Sequence, residues 1–292
     1  MPREISVVLH GGAGNQLFQW AYGHYLSYLD FKVSYKFYEK PYSLAHASQS
    51  ISEYIDSCEH GTFLNVKLPM SKLLRTFADP THPRSPISRI PGFVVNSLGN
   101  TFLSEPLTKV GKFNFGYFQN FDYVFELRET IIPELTDSLF SKKISDFEVS
   151  LYGSEIIHVR QGDTMTLKNM SRVGVLDSRY YESIPPKSAN KRIVLTDDVA
   201  GAKKTISNSD IDAFIGPDDM DVASTLRVMS RSSKLYAANS TLAWWGGFLA
   251  QNNGAEVYIP EPFFLNVVPD SKKAFHYPGF KLKKSEFMRL SN

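Results

Sequence analysis

A chain of 292 residues, 42% of them hydrophobic and 21% charged, can bury one large core or two of about 150 residues each, which excludes an unfolded or fibrous protein. Its 32 basic and 30 acidic side chains leave a formal charge of +2, too even a balance for nucleic-acid binding driven by counterion release. The single cysteine, Cys58, excludes an intramolecular disulfide framework and a cysteine zinc cluster, and the apolar runs end well short of the ~20 residues of a membrane span. Residues 1–9 lack the apolar core of a secretion signal. The expectation is a cytoplasmic protein with no transmembrane segment, touching a membrane at most from its surface.

In chain order, ISVVLH is a β-branched run stopped by GGAG, and apolar residues then recur at Phe18, Ala21, Tyr22, Tyr25 and Leu29, the spacing of one helical face. Strand, glycine turn and helix are predicted. Phe31 to Phe37 reads as a second strand. From about 40 to 150 the pattern blurs, and four prolines between Asp79 and Pro91 predict a long loop or irregular insertion. Beyond 150 the runs EIIHV, RIVLT, DAFIG, KLYAA and EVYIP are short buried-type strands separated by helix-length segments, the alternation of a parallel sheet with right-handed crossovers. Two domains are expected, at 1–150 and 151–292.

Ligands of such sheets bind at the carboxyl ends of the strands, so the residues after each run are the ones to inspect. They are polar throughout: Gly11-Gly12-Ala13-Gly14-Asn15-Gln16, then Arg160-Gln161-Gly162-Asp163, then Thr196-Asp197-Asp198, then Asn239-Ser240-Thr241. The last group opens a helix that Asn239 or Ser240 can cap. Its first N–H groups and the positive end of its dipole favour a phosphate.

Each feature has a plainer explanation. GGAG can be a simple tight turn, and Leu17 stands where a dinucleotide fingerprint needs its third glycine. His158 can be a hydrogen-bonded core residue. A guanidinium at the end of an apolar strand requires an anion, yet Arg160 can find one internally in Asp163 or Asp197. Trp244-Trp245 reads as core packing, and Asp218, Asp219 and Asp221 as acids complementing the start of a helix that runs to Met229.

Taken together, GGAGNQLFQWAYG, GYFQNFDYV, HVRQGD, LTDD and NSTLAWWGGFL, in that order from residue 11 to residue 249, resemble the motifs of the α-1,2-fucosyltransferases of glycosyltransferase family 11. The resemblance implies an α/β fold of the GT-B type, with two Rossmann-like domains facing across a cleft. The first would be the acceptor-side domain and the second would bind GDP-fucose. It implies inverting transfer of L-fucose to the 2-hydroxyl of a terminal galactose on an oligosaccharide or glycolipid, with no metal and no other cofactor. Arg160, Asn15 and Asp163 are then the expected catalytic residues, with Asp163 either the base or an orienting partner of Arg160. His158, Gln16, Gly14, Asp197, Asp221, Asn239, Ser240 and Thr241 are the expected substrate contacts.

Two positions depart from the family pattern. Gln161 replaces its usual second arginine, with Lys168 or Arg172 able to compensate, and Thr225 replaces an aspartate that could meet the guanine. Asp221, one helical turn upstream, is the expected substitute. The rival readings are a fucosyltransferase of another linkage (α-1,6 or protein O-linked), a manganese enzyme using Asp219 and Asp221, and a sugar-nucleotide-binding protein without catalysis. Lys272, Lys273, Lys281, Lys283 and Lys284 read as a solvated tail or the border of a membrane. The missing anchor points to a bacterial or viral type of enzyme.

Overall fold

The β-branched runs become the strands of two separate parallel sheets in the computed structural model, which describes residues 3–37, 51, 55, 61–62, 94–96, 110–188, 191–207, 210–266 and 275–289. The chain divides into two compact units, Met1–Ser138 and Leu139–Asn292. The proline-rich loop expected between Asp79 and Pro91 lies outside the described residues, as do Lys272 and Lys273.

In the first unit β1 (Glu4–Leu9) leads through a glycine turn into α1 (Ala13–Tyr28), and β2 (Lys32–Phe37) returns beside β1. Short strands β3 (Gly61–Thr62), β4 (Val94–Asn96) and β5 (Phe113–Phe115) complete a sheet of order β3-β2-β1-β5-β4 with parallel pairing throughout. Central β1 buries Ile5, Val7, Val8 and Leu9 in succession, because a strand with neighbours on both sides and cover on both faces has no wet side. α1 buries Leu17, Phe18, Trp20, Ala21 and Leu26. Gly23 lets this helix pass Tyr35: a Cβ there would stand 2.4 Å from the phenol ring, whose hydroxyl donates to Trp20 O at 2.8 Å. The helices α2 (Phe121–Glu126) and α3 (Arg128–Phe140) follow.

The second unit holds β6 (Glu155–Val159), β7 (Arg192–Thr196), β8 (Ala213–Ile215), β9 (Lys234–Tyr236), β10 (Glu256–Glu261) and β11 (Lys281–Lys284), in the order β11-β10-β9-β6-β7-β8 and parallel at every pair. Counted along the unit this is the doubly wound order 3-2-1-4-5-6, which reverses direction at β6 and so opens a crevice between β6 and β9. Its helices are α4 (Asp146–Val149), α5 (Leu167–Arg172), α6 (Ser178–Glu182), α7 (Val199–Thr205), α8 (Val222–Ser230) and α9 (Thr241–Asn252). On one face Ile157, Val159 and Val194 pack against Tyr180, Tyr181, Ala202 and Ile206. Trp244 and Trp245 are fully buried with Phe248, and Trp244 Nε1 donates to Phe275 O at 2.9 Å, so the tryptophan doublet is core. The parallel α/β class expected from the sequence is the class observed.

Two boundaries differ from the sequence reading. The units part at Ser138/Leu139 rather than at 150, because α4 is tied to the second sheet's helices. Arg227 of α8 donates to both Glu148 carboxylate oxygens at 2.7 and 3.0 Å and to Leu139 O at 3.0 Å. Three of the lysines expected in a solvated tail lie in a strand. Lys281 to Lys284 form the edge strand β11, where Lys281 pairs with Glu256 at 3.2 Å and the Lys283 amine lies over the Tyr180 ring. Lysines on an edge strand block further strand pairing, which is why so polar a segment can still be a strand. No helix among the described residues is long and apolar enough to cross a membrane.

Candidate active site

The register of the second sheet builds the site. β6 and β7 pair from Glu155↔Arg192 to Val159↔Thr196, so the next residues of the two strands, Arg160 and Asp197, emerge side by side at the carboxyl edge. They form an ion pair, Arg160 Nε to Asp197 Oδ2, at 3.2 Å, with about a third and a quarter of the two side chains exposed. The internal partner weighed from the sequence is therefore present. The other Asp197 oxygen accepts from Gln161 N at 2.8 Å.

His158 shares the strand face of Arg160 but is buried, and its Nδ1 has no hydrogen-bond partner among the described residues. Burial pushes its pKa down to about 4, against the attraction of Asp197 and with the help of Arg160's charge. The imidazole is neutral at physiological pH. Because the folded pKa lies below the unfolded value of about 6.5, its contribution is intact above pH 6.5 and is lost as the pH falls toward 4. Between pH 7.5 and 5.5 the chain is expected to lose about 1.4 kcal/mol through this residue. Half-buried His24, also shifted down by desolvation, adds a loss of the same sign. Urea denaturation at both pH values, in the native chain and in His158→Gln, checks this; an equal pH loss in the two proteins refutes it.

Helix starts distinguish themselves by their caps. α2, α4, α5, α6, α7 and α8 have first-turn amides bonded by the side chains of Asn120, Ser145, Thr166, Asp177, Asp198 and Asp221. At α1 and α9 the cap positions, Gly12 and Ser240, make no side-chain cap bond. These two helices follow β1 and β9, strands at the switch points of their sheets. Such an amino end carries the positive end of the helix dipole, which favours an anion. Thr241 is the first residue of α9, and Ser240, 7% exposed, precedes it.

Several expected contacts are placed differently. Asn239 is buried, and its amide donates to Val173 O and Gly174 O at 3.2 and 3.0 Å, so it holds the turn that follows α5. Asp221 is the cap of α8, its Oδ1 accepting from Ser224 N at 2.7 Å, and Thr225 donates back to Asp221 O at 2.8 Å. Asp219 accepts from Gly216 N at 2.9 Å. Gln161 is 3% exposed and donates to Thr205 Oγ1 at 2.6 Å, so the side chain at the family's second-arginine position points into the packing of α7. Asp163 opens a single 3-10 turn, Asp163–Met165.

In the first unit Gly11, at φ +78°, turns the chain out of β1 in a conformation that glycine adopts without strain. Gln16 is fully buried: its amide donates to Gly11 O at 2.8 Å and its oxygen accepts from Ile51 N at 3.0 Å. It fixes the turn. Gly14 is buried in the first turn of α1. Asn15 is only partly buried and accepts from Gln119 Nε2 at 2.7 Å. Sequence reading passed over Gln19, whose carboxamide bonds His10 N and O at 2.8 and 3.2 Å and Gly116 O at 2.9 Å. It ties the carboxyl ends of β1 and β5 together. A glutamine on the buried side of an amphipathic helix was the available signal.

Residues 99–273, more than half the chain, match the profile of the family described as Glycosyl transferase family 11. The chain belongs to this family. The carboxyl ends of β6, β7 and β9, with Arg160, Asp197 and Ser240, all lie inside the matched stretch of this family 11 glycosyltransferase. Among curated proteins it is 28% identical over 286 residues to an alpha-1,2-colitosyltransferase of Escherichia coli, covering 88% of this chain and 91% of that one. To the O-antigen biosynthesis glycosyltransferase WbnK of Escherichia coli it is 24% identical over 289 residues, covering 88% and 93%. Among solved structures, POFUT1 in complex with GDP aligns over 85% of this chain and 95% of that chain at 11% identity and a TM-score of 0.35. POFUT1 in complex with GDP-fucose aligns at a TM-score of 0.34, also at 11% identity, over 85% of this chain and 94% of that chain.

Proposed function

We propose that this glycosyltransferase moves L-fucose from GDP-fucose, with inversion, to the 2-hydroxyl of a terminal galactose, and that it needs no metal. The observation that supports the donor half is the start of α9 at the switch point, where Ser240 makes no side-chain cap bond, beside β6, which Arg160 follows. As the acceptor oxygen bonds to the sugar's anomeric carbon, the bond from that carbon to the β-phosphate oxygen breaks and GDP gains negative charge. Arg160 and the first N–H groups of α9, with the Ser240 and Thr241 hydroxyls, meet that charge, and their bonds strengthen as it grows. The same groups neutralise a diphosphate where other transferases use a divalent cation.

On this reading His158, neutral and buried, shapes the floor below Arg160, and Asp163 takes the proton from the acceptor hydroxyl. A second reading is favoured by the colitosyltransferase relative. Colitose is fucose without its 3-hydroxyl, so the two donors differ by one polar group.

Purified protein incubated with GDP-fucose or the matching colitose donor and a panel of β-galactosides, with and without excess chelator, tests the assignment. The expected result is a fucosyl α-1,2 product mapped by NMR, formed equally with chelator. Faster use of the colitose donor would transfer the assignment to colitose, and loss of activity with chelator would remove the metal-free mechanism. GDP release no faster with any galactoside than by hydrolysis would refute galactoside transfer; tight GDP binding with no transfer to any acceptor would indicate a sugar-nucleotide-binding protein.

A further inference from the structure

One carboxylate holds the turn that follows β6 at two points. Asp197 Oδ2 meets Arg160 Nε at 3.2 Å while its Oδ1 accepts from Gln161 N at 2.8 Å, so a single carboxylate fixes both the arginine side chain and the backbone beside it. A guanidinium carries its five N–H groups in a rigid planar fork, so an anion bound at Nε sets the plane of the whole group. The surroundings are shaped for this contact. An added Cβ at Gly162 would stand 2.9 Å from Asp197 Oδ2, and one at Gly201 would stand 2.7 Å from Gln161 Oε1, so neither position admits a side chain unless these groups shift. Gln161 is anchored on Thr205 Oγ1 at 2.6 Å, and Thr205 Oγ1 donates to Gly201 O at 3.1 Å. The ion pair itself is too exposed to add much stability. Orientation is what it supplies.

We infer that Asp197 is a positioning residue, which aims the Arg160 guanidinium before the donor binds and does not itself touch the nucleotide sugar. The inference rests on the reading of Arg160 as a ligand of the diphosphate. In the ground state, charge attraction between Arg160 and GDP survives the loss of Asp197. In the transition state the direction of the fork matters, because the new charge develops on one oxygen. Neutralising Asp197 therefore acts on turnover and leaves GDP affinity nearly unchanged.

A double-mutant cycle tests this. GDP release from GDP-fucose is followed with the fastest β-galactoside of the panel as acceptor, or with water in its place, and GDP binding is followed by calorimetry. Asp197→Asn is expected to lower kcat by about 10- to 100-fold with the GDP Kd within about 3-fold, and to cause no further loss in an Arg160→Ala background. Gly162→Ala, which displaces the carboxylate without removing it, is expected to repeat the pattern if Asp197→Asn folds poorly. Losses that multiply in the double variant, or a GDP Kd raised more than about 10-fold by Asp197→Asn, would overturn the inference. An unchanged kcat in both Asp197→Asn and Gly162→Ala would do the same. Full activity of Arg160→Ala would instead remove the donor-grip reading on which it stands.

Discussion

Replacement of Arg160 by alanine is expected to lower kcat for glycosyl transfer by about 10²- to 10³-fold, equivalent to roughly 2.7–4 kcal/mol of barrier, while the melting temperature stays close to that of the native chain. The two halves of this expectation come from different observations. On the proposed reading turnover falls because the guanidinium follows the strand next to β9 at the switch point, beside the start of α9 that would receive a departing diphosphate. Stability is spared because the ion pair of Arg160 with Asp197 is a third to a quarter exposed, and such pairs contribute about 1 kcal/mol or less. Arg160→Lys should recover part of the GDP affinity but little of the turnover, since a point charge on a flexible stem cannot reproduce a fork held at Nε. A kcat within about 3-fold of native in Arg160→Ala would exclude the residue from the chemistry.

At the other end of the same two strands the expected effect is the reverse: large on stability and absent from chemistry. Glu155 and Arg192 open β6 and β7 as directly paired residues, 1% and 0% exposed. Glu155 Oε2 accepts from Arg192 Nε and Nη2 at 2.9 and 2.7 Å, and Oε1 accepts from Ser188 N at 3.0 Å. Glu155→Ala leaves a buried guanidinium with the more distant Asp210 carboxylate, 3.9 Å from Nη1, in place of its hydrogen-bonded partner and is expected to cost about 3–5 kcal/mol in urea denaturation at pH 7, a large share of a typical domain's stability. The double variant Glu155→Leu with Arg192→Met should recover most of that loss, because an apolar pair of similar size needs no compensation. GDP affinity of the folded fraction should not change, since the pair lies about 15 Å along the strands from the carboxyl edge. A loss under about 1 kcal/mol in Glu155→Ala would show that water replaces the carboxylate. Burial raises the Glu155 pKa, but its bonds to Ser188 and Arg192 outweigh this and hold it below the usual value. Its stabilisation is therefore complete above about pH 4.5 and is lost as the pH falls through the lowered value.

Much of the scaffold was readable because it depends on short-range pattern. EIIHV, RIVLT and EVYIP are runs of buried β-branched residues and became β6, β7 and β10 within a residue of the expected limits. The alternation of a strand predicted that His158 and Arg160 share a face, and the structure places both at the carboxyl end of β6. KLKK, by contrast, has no apolar alternation, and only pairing with β10 and the Glu256 partner make it a strand.

The division within the candidate site follows the same physics. The sequence by itself determined that polar residues follow each strand, that a helix begins at Ser240–Thr241, and that an arginine ends the central strand. These are consequences of periodicity and capping over a few residues. Which of the polar groups face outward was decided only by tertiary structure. Asn239 meets a turn 65 residues earlier, Gln16 meets a backbone amide 35 residues later, and Gln161 meets Thr205 of α7. A carboxamide or carboxylate looks the same in sequence whether it awaits a ligand or already holds a buried backbone group. Its partner is chosen by the packing that excludes water around it.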